Sequence, residues 1–223
     1  LLVLHDWSGF ISLEPDEIEA ERGVIREEWR TGRNAERRMY KQVMPVIYKG
    51  SKYAERDVIG DINVINNFKH EEIKNYYHKW YRPDLQSIVI VGDVDVDQVE
   101  QKIKTLFADI PKRENPDVRP FFELPDNDEP LIGIASDPEA RNTILTVYYK
   151  HQAVPKNEKN LGYVREQMIQ KLATSMISAR LNEITQKPNP PFVFAASDMG
   201  NMVRTKSALM FYAALRNDAM IDG

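Results

Sequence analysis

Cysteine is absent from the 223 residues, which excludes disulfides and thiolate zinc sites. It leaves the compartment open, because a bacterial periplasm and a cytoplasm both accommodate cysteine-free proteins. No apolar run approaches the ~20 residues that a bilayer crossing needs, so no membrane span is expected in this stretch, and no signal peptide is visible in it. Long basic runs are missing and the net charge is −4. Phosphate binding depends on clustered lysine and arginine, so a nucleic-acid surface is set aside. There is no Gly-x-Gly-x-x-Gly, and the single-glycine turn Gly92-Asp93 before a helix at Asp97 to Phe107 does not make a nucleotide site. Histidine is scarce, at four residues. His70-Glu71-Glu72-Ile73-Lys74 begins like a His-Glu-x-x-His zinc helix, but a cation stands where the second imidazole belongs. His78 lies two helical turns from His70, too far to share an ion, and reads as a surface residue. His5 and His151 stand alone and read as ordinary polar residues.

What is present is enough apolar content, 42%, to bury a real core in one large domain or two of ordinary size. The apolar opening Leu1-Leu2-Val3-Leu4 reads as part of an element already under way, and residues 217–223 end without an evident terminal element. Both suggest a piece of a longer polypeptide.

The chain is organised around Glu14 to Arg30, EPDEIEAERGVIREEWR. Pro15 suits a first helical position, and Asp16 and Glu17 place negative charge where the free N–H groups favour it. At about 100° per residue, Ile18, Ile25 and Trp29 share one stripe, with Glu17, Glu21, Val24 and Glu28 on a second stripe beside it. Glu27 points away from the core, so of the adjacent pair only Glu28 is placed to meet another element. The bland alternative is a solvated flank. Seven residues rise ~10 Å, so Glu21 and Glu28 cannot both touch one small ion; one would coordinate and the other support.

Past Trp29 the helix continues, with an interruption at Thr31-Gly32, to Pro45, which ends or kinks it. The cluster Arg30, Arg33, Arg37, Arg38 reads as a solvated face. A long loop over 48–60 precedes a helical segment at Asp61 to Asn66, and then Glu71 to Trp80, whose Ile73, Tyr76, Tyr77 and Trp80 recur at helical spacing and read as core packing. Ser87 to Val94 is apolar and β-branched enough for a buried strand. Residues 109–130 hold Pro111, Pro116, Pro120, Pro125 and Pro130 among charges, which is the expected domain boundary. Beyond it, Leu131 to Ala135, Thr143 to Lys150, Phe192 to Ala196 and Ser207 to Leu215 read as strands. Leu161 to Thr185 reads as a long helix whose Val164, Met168, Leu172, Met176 and Leu181 form an apolar stripe, the methionines filling core. The expectation is α+β, helix packed on sheet twice over.

Glu21-Arg22-Gly23-Val24-Ile25-Arg26-Glu27-Glu28, followed in order by Tyr81-Arg82-Pro83 with Ile88 to Val94, and by Arg180-Leu181-Asn182-Glu183-Ile184, resembles segments of the M16 zinc metallopeptidases of the pitrilysin, insulinase and mitochondrial processing peptidase type. The resemblance runs from about Leu4 to Leu215. It implies that Glu28 is the third Zn²⁺ ligand and Glu21 the paired glutamate that assists the site. It also implies two-layer helix-on-sheet units: 1–112 as the later part of a first unit, 113–130 as linker and 131–223 as the start of a second. The family's His-x-x-Glu-His is absent from these residues, so two zinc ligands and the general base are expected upstream of Leu1, and this stretch alone is expected to be inactive. The implied substrates are peptides or unfolded segments enclosed between this half and a second M16-like half or subunit. A non-catalytic M16-like half that serves structure, partner binding or substrate enclosure is the competing reading. An unrelated α/β binding domain is the third. Retention of both glutamates favours the catalytic one, because a degenerate site has no physical reason to keep charges at a buried margin.

Overall fold

The structure, a computed structural model, describes residues 1–216; the end anticipated at 217–223 lies outside them. Helices α1 (Leu2–Gly9), α2 (Pro15–Thr31), α3 (Ala35–Ile47), α4 (Ile62–Asn67), α5 (His70–Trp80), α6 (Val96–Leu106) and α7 (Leu161–Thr185) are joined by strands β1 (Thr143–Gln152), β2 (Phe192–Asn201) and β3 (Lys206–Leu215). Four helices start where a side chain accepts a free N–H: Asn34 from Arg37, Asp61 from Asn63, Asp95 from Gln98 and Asn160 from Tyr163. Pro45 lies inside α3, which runs on to Ile47. The chain divides into two compact units, residues 1–31 with 59–119, and 32–58 with residues from 120 on. The segment 32–58, which a linear division assigns to the first unit, therefore packs with the later residues.

The first unit is built from α1, α2, α4, α5 and α6. Ile18 and Arg22 are the buried residues of α2, whereas Ile25 and Trp29 are only half-buried. Arg22 donates to the Ile65 carbonyl and, at 2.9 Å, to that of Phe68, with its guanidinium 3.7 Å above the Phe68 ring. These are carbonyls at the end of α4 that have no helical partner, so the guanidinium meets a real demand. Tyr77, buried on α5, donates its hydroxyl to the Trp7 carbonyl at 3.0 Å and accepts from Ile11 N at 3.3 Å. Tyr76 is exposed, so the aromatic stripe expected to pack as a whole does so only in part. Buried Arg82 donates to the Asp117 carbonyl at 2.6 Å, and Lys79 pairs with the Asp117 carboxylate at 3.0 Å. Ser87 to Val94, expected as a buried strand, is not one. Val91 is 91% exposed, and no neighbouring backbone among the described residues supplies the ladder that turns an apolar run into a strand.

The second unit carries the sheet, antiparallel in the order β1-β3-β2. The registers run Thr143↔Leu215 to Gln152↔Lys206 and Phe192↔Leu215 to Asn201↔Ser207, with an irregularity between Phe192 and Phe194. Phe192, Ala195 and Leu215 form the core with Leu181 and Ile184 of α7. Further up the helix the contact is polar: Ser197 N donates to Ser178 Oγ at 3.0 Å, and Ser197 Oγ donates to the Thr174 carbonyl at 3.0 Å. Of the stripe expected to be core, Leu181 packs inward, but Val164, Met168, Leu172 and Met176 lie on the outer face, with Met168 62% and Met176 70% exposed. Small hydroxyl residues let the helix lie close to the strand, and the larger apolar side chains are left outside. Leu131 to Ala135 is likewise not a strand. The mixed helix and sheet class stands; helix-on-sheet layering belongs to the second unit, and no strand occurs among the described residues of the first.

Residues 120–126 are fastened to this unit. Leu124 is 1% exposed. Lys150 Nζ donates to the Pro125 carbonyl at 2.7 Å, and the Phe122 ring lies 4.6 Å from Lys52 Nζ. Gly50 takes φ 79°, and a Cβ there would come within 3.2 Å of the Pro125 ring.

Candidate metal site

Seventeen residues of α2 carry the glutamates singled out by sequence. Glu21 and Glu28 are both exposed. On the adjoining face, Ala20, Gly23, Val24, Glu27, Glu28 and Thr31 line an open hollow. The two neighbouring carboxylates there differ electrically. Glu27 accepts two hydrogen bonds from Arg30, at 2.6 and 2.9 Å, which hold its carboxyl below the usual range. The Glu28 carboxylate has no hydrogen-bond or ion-pair partner among the described residues; only its backbone carbonyl is engaged, by Thr31 Oγ1 at 3.3 Å. A Cβ built on Gly23 meets nothing within 4 Å. A glycine at mid-helix costs about 1 kcal/mol relative to alanine, and no contact among the described residues explains it.

No group of three His, Asp or Glu among the described residues is arranged to hold a metal ion. Glu21 and Glu28 each offer a carboxylate oxygen that a metal could take, and two turns apart they cannot both reach one small ion. His70 does not join them: its Nε2 is 2.6 Å from Glu19 Oε1. Glu19 also receives Arg22, and that guanidinium first, then the imidazole, lowers its carboxyl from 4.5 to about 2. His78 is exposed, and His151 lies at the sheet with Nε2 3.0 Å from the Met199 sulfur.

His5 is not the isolated polar residue its sequence suggests. It is buried, with Nδ1 2.9 Å from Asp6 Oδ1 and Nε2 2.9 Å from Asp109 Oδ1. Asp6 is adjacent and readable, but Asp109 is 104 residues away, so no local signal reveals the pair. The basic cluster is also less free than a solvated face. Arg30 pairs with Glu27, Arg37 and Lys41 with Asp57, and Arg38 with Asp137 and Glu139. A hollow of about 460 Å³ in the first unit is lined by apolar residues including Leu4, Trp7, Trp80, Ile88 and Phe107, and none of its lining groups is acidic, basic or imidazole.

Residues 67–213 match the family model described as Peptidase M16 inactive domain. The Haemophilus influenzae protein named Probable zinc protease PqqL is 31% identical over 184 residues, which are 81% of this chain and 19% of that protein. The Arabidopsis thaliana Zinc protease PQQL-like is 32% identical over 87% of this chain and 20% of its own length. Thus the chain spans about one fifth of the length of the curated relatives it matches. Among solved structures, the first half of the periplasmic protease PqqL from Escherichia coli superposes with a TM-score of 0.79 at 23% identity, covering 99% of this chain and 47% of that one.

Proposed function

Because the chain belongs to the M16 peptidase family, we propose that it forms part of a zinc-dependent endopeptidase in which Glu28 supplies a carboxylate ligand. The observation that carries this is the contrast on α2. Glu27 is neutralised by Arg30, while Glu28, one residue on, keeps an unpaired carboxylate on an open face beside Gly23. An uncompensated anion on a face bare enough for close approach suits a cation brought by another element. Glu21, two turns earlier, adds negative charge without reaching the same ion. When bound, zinc lowers the pKa of a coordinated water so that it can attack a peptide carbonyl. The remaining ligands and the general base come, in this reading, from residues before Leu1.

The names of the relatives, zinc proteases, support the reading. So does the fold-level match to the first half of a larger protease. In that frame residues 1–112 belong to the first family unit, 113–130 to the connection and 131–223 to the second. The substrate is a peptide or unfolded segment enclosed with a second M16-like half.

The test is a zinc titration of the complete polypeptide with and without Glu28→Gln. Loss of a direct ligand should weaken zinc by about 100-fold or more; unchanged affinity removes Glu28 from the metal. A second reading, a non-catalytic half, is favoured by the description of the matched model as inactive. That match begins at residue 67, beyond both glutamates. A polypeptide whose residues before Leu1 lack His-x-x-Glu-His would establish the second reading for this half.

A further inference from the structure

Both ring nitrogens of His5 face a carboxylate. Nδ1 is 2.9 Å from Asp6 Oδ1 on α1 itself, and Nε2 is 2.9 Å from Asp109 Oδ1 in the turn that follows α6. Neutral imidazole has one N–H and one lone pair, so it can donate to only one of them, and the other carboxylate would then confront a lone pair. Imidazolium donates to both. The ring is 8% exposed as a residue, stacked on Phe10 at 4.7 Å and met edge-on by Phe107 at 5.6 Å. The imidazole is thus enclosed, while the Asp6 and Asp109 side chains keep more than half of their surface in solvent, so a released carboxylate is taken over by water and the contact between α1 and the turn is what is lost.

We infer that His5, Asp6 and Asp109 form a pH-responsive clasp: protonated His5 fastens α1 to the turn after α6, and deprotonation releases one of its two anchors. The other side-chain hydrogen bonds to α1 among the described residues come from uncharged groups. From α5 the Tyr77 hydroxyl bonds the Trp7 carbonyl, the Gln86 amide donates to the Ser8 carbonyl at 2.8 Å, and Ser8 Oγ donates to the His5 carbonyl at 2.8 Å. The charged groups facing the imidazole are the two aspartates, and they raise its pKa above the ordinary 6.5, Asp109 more than Asp6 and both against the cost of burial. A raised histidine contributes stability that is complete below its unfolded value and is lost as pH rises through the folded one. The clasp thus holds fully below the ordinary value of 6.5 and loosens as pH rises above it through the raised one. Its effect is directional, because α1 leads within a few residues into α2, the helix that bears Glu21 and Glu28. The inference is independent of whether zinc binds there.

Hydrogen exchange of the complete polypeptide, followed by mass spectrometry on peptides spanning α1 at several pH values and corrected for intrinsic rates, tests it. Losing one charge-assisted hydrogen bond is expected to speed exchange in α1 by about tenfold across the transition, while peptides from β3 stay unchanged. Asp109→Asn should move the transition to lower pH, and His5→Gln, which stays uncharged, should abolish it. Protection of α1 that is flat with pH, or a transition that survives His5→Gln, overturns the inference.

Discussion

The ammonium of Lys206 lies 2.7 Å from the Asp126 carboxylate, with Lys206 1% exposed. A charge at the start of β3 is thereby matched from the proline-rich segment, and the ammonium keeps the Asp126 carboxyl below its usual range.

Breaking that pair from one side should cost more than removing the buried charge altogether. Asp126→Asn leaves an uncompensated ammonium, whereas Lys206→Met fills the same space with apolar atoms. Thermal unfolding followed by circular dichroism should place the midpoint of Asp126→Asn at least about 3 °C below that of Lys206→Met. The reverse order would mean that Lys206 finds water or another acceptor.

Leu124, in the same segment, is with Lys206 one of the two largest fully buried side chains described. Truncation to alanine should lower the unfolding free energy by about 2–5 kcal/mol in denaturant titrations. Phe121→Ala, at a ring more than half exposed, should cost less than about 1 kcal/mol. Equal losses would show that the segment is held by something other than Leu124.

Stability should fall in acid over a definable window. Arg22 and then His70 lower the Glu19 carboxyl from 4.5 to about 2, and Arg38 with the Glu139 N–H lowers that of Asp137 from 3.8 to about 2. A depressed carboxylate contributes stability above its ordinary value and surrenders it as pH drops through the folded one. Unfolding free energy should hardly change from neutrality to about pH 5 on account of these groups, then decline between about pH 4.5 and 2. Arg38→Gln should make that decline shallower; an unaltered slope would show that the Arg38 pairs add nothing in solution.

Gly23→Ala offers a sign test of the α2 face. In the 223-residue chain the new methyl meets open space, so helix propensity should raise stability by about 0.5–1 kcal/mol. In the complete polypeptide the proposed zinc site requires another element to approach that face, and the same change should then destabilise. A gain in both would argue against any such approach, and with it against the proposed zinc site.

Glu21→Gln should separate support from ligation. Zinc affinity measured by competition should stay within about tenfold, while kcat falls by about 10–100-fold. A collapse of affinity equal to that of Glu28→Gln would make Glu21 the ligand.

The helices were legible in sequence because their signals are local. Pro15 with Asp16 and Glu17, and the span Leu161–Thr185, depend on residues a few positions apart. Three strands were legible for the same reason. Ser87 to Val94 and Leu131 to Ala135 were not, because β-branched composition states a preference and only a neighbouring backbone makes a strand. The outward stripe of α7 was misread because Thr174 and Ser178, rather than Met168 and Met176, meet the sheet through hydroxyl contacts that hydrophobic periodicity ignores. At the candidate site the two glutamates could be named from sequence, but the contrast between paired Glu27 and unpaired Glu28 required side-chain geometry. The His5–Asp109 contact spans far too much chain for any spacing rule.

The unpaired run Ile88 to Val91 bears on how the isolated stretch behaves in the test tube. Its free amides and carbonyls, set among exposed β-branched side chains such as Val89 and Val91, offer a template on which a second copy can lay its own identical run. Shelf life in concentrated solution would then be governed by self-association kinetics, with turbidity growing steeply with concentration while the circular dichroism spectrum of dilute samples stays constant. Lysine at Val89 or Val91 would act as a gatekeeper and delay that clouding without altering the melting temperature.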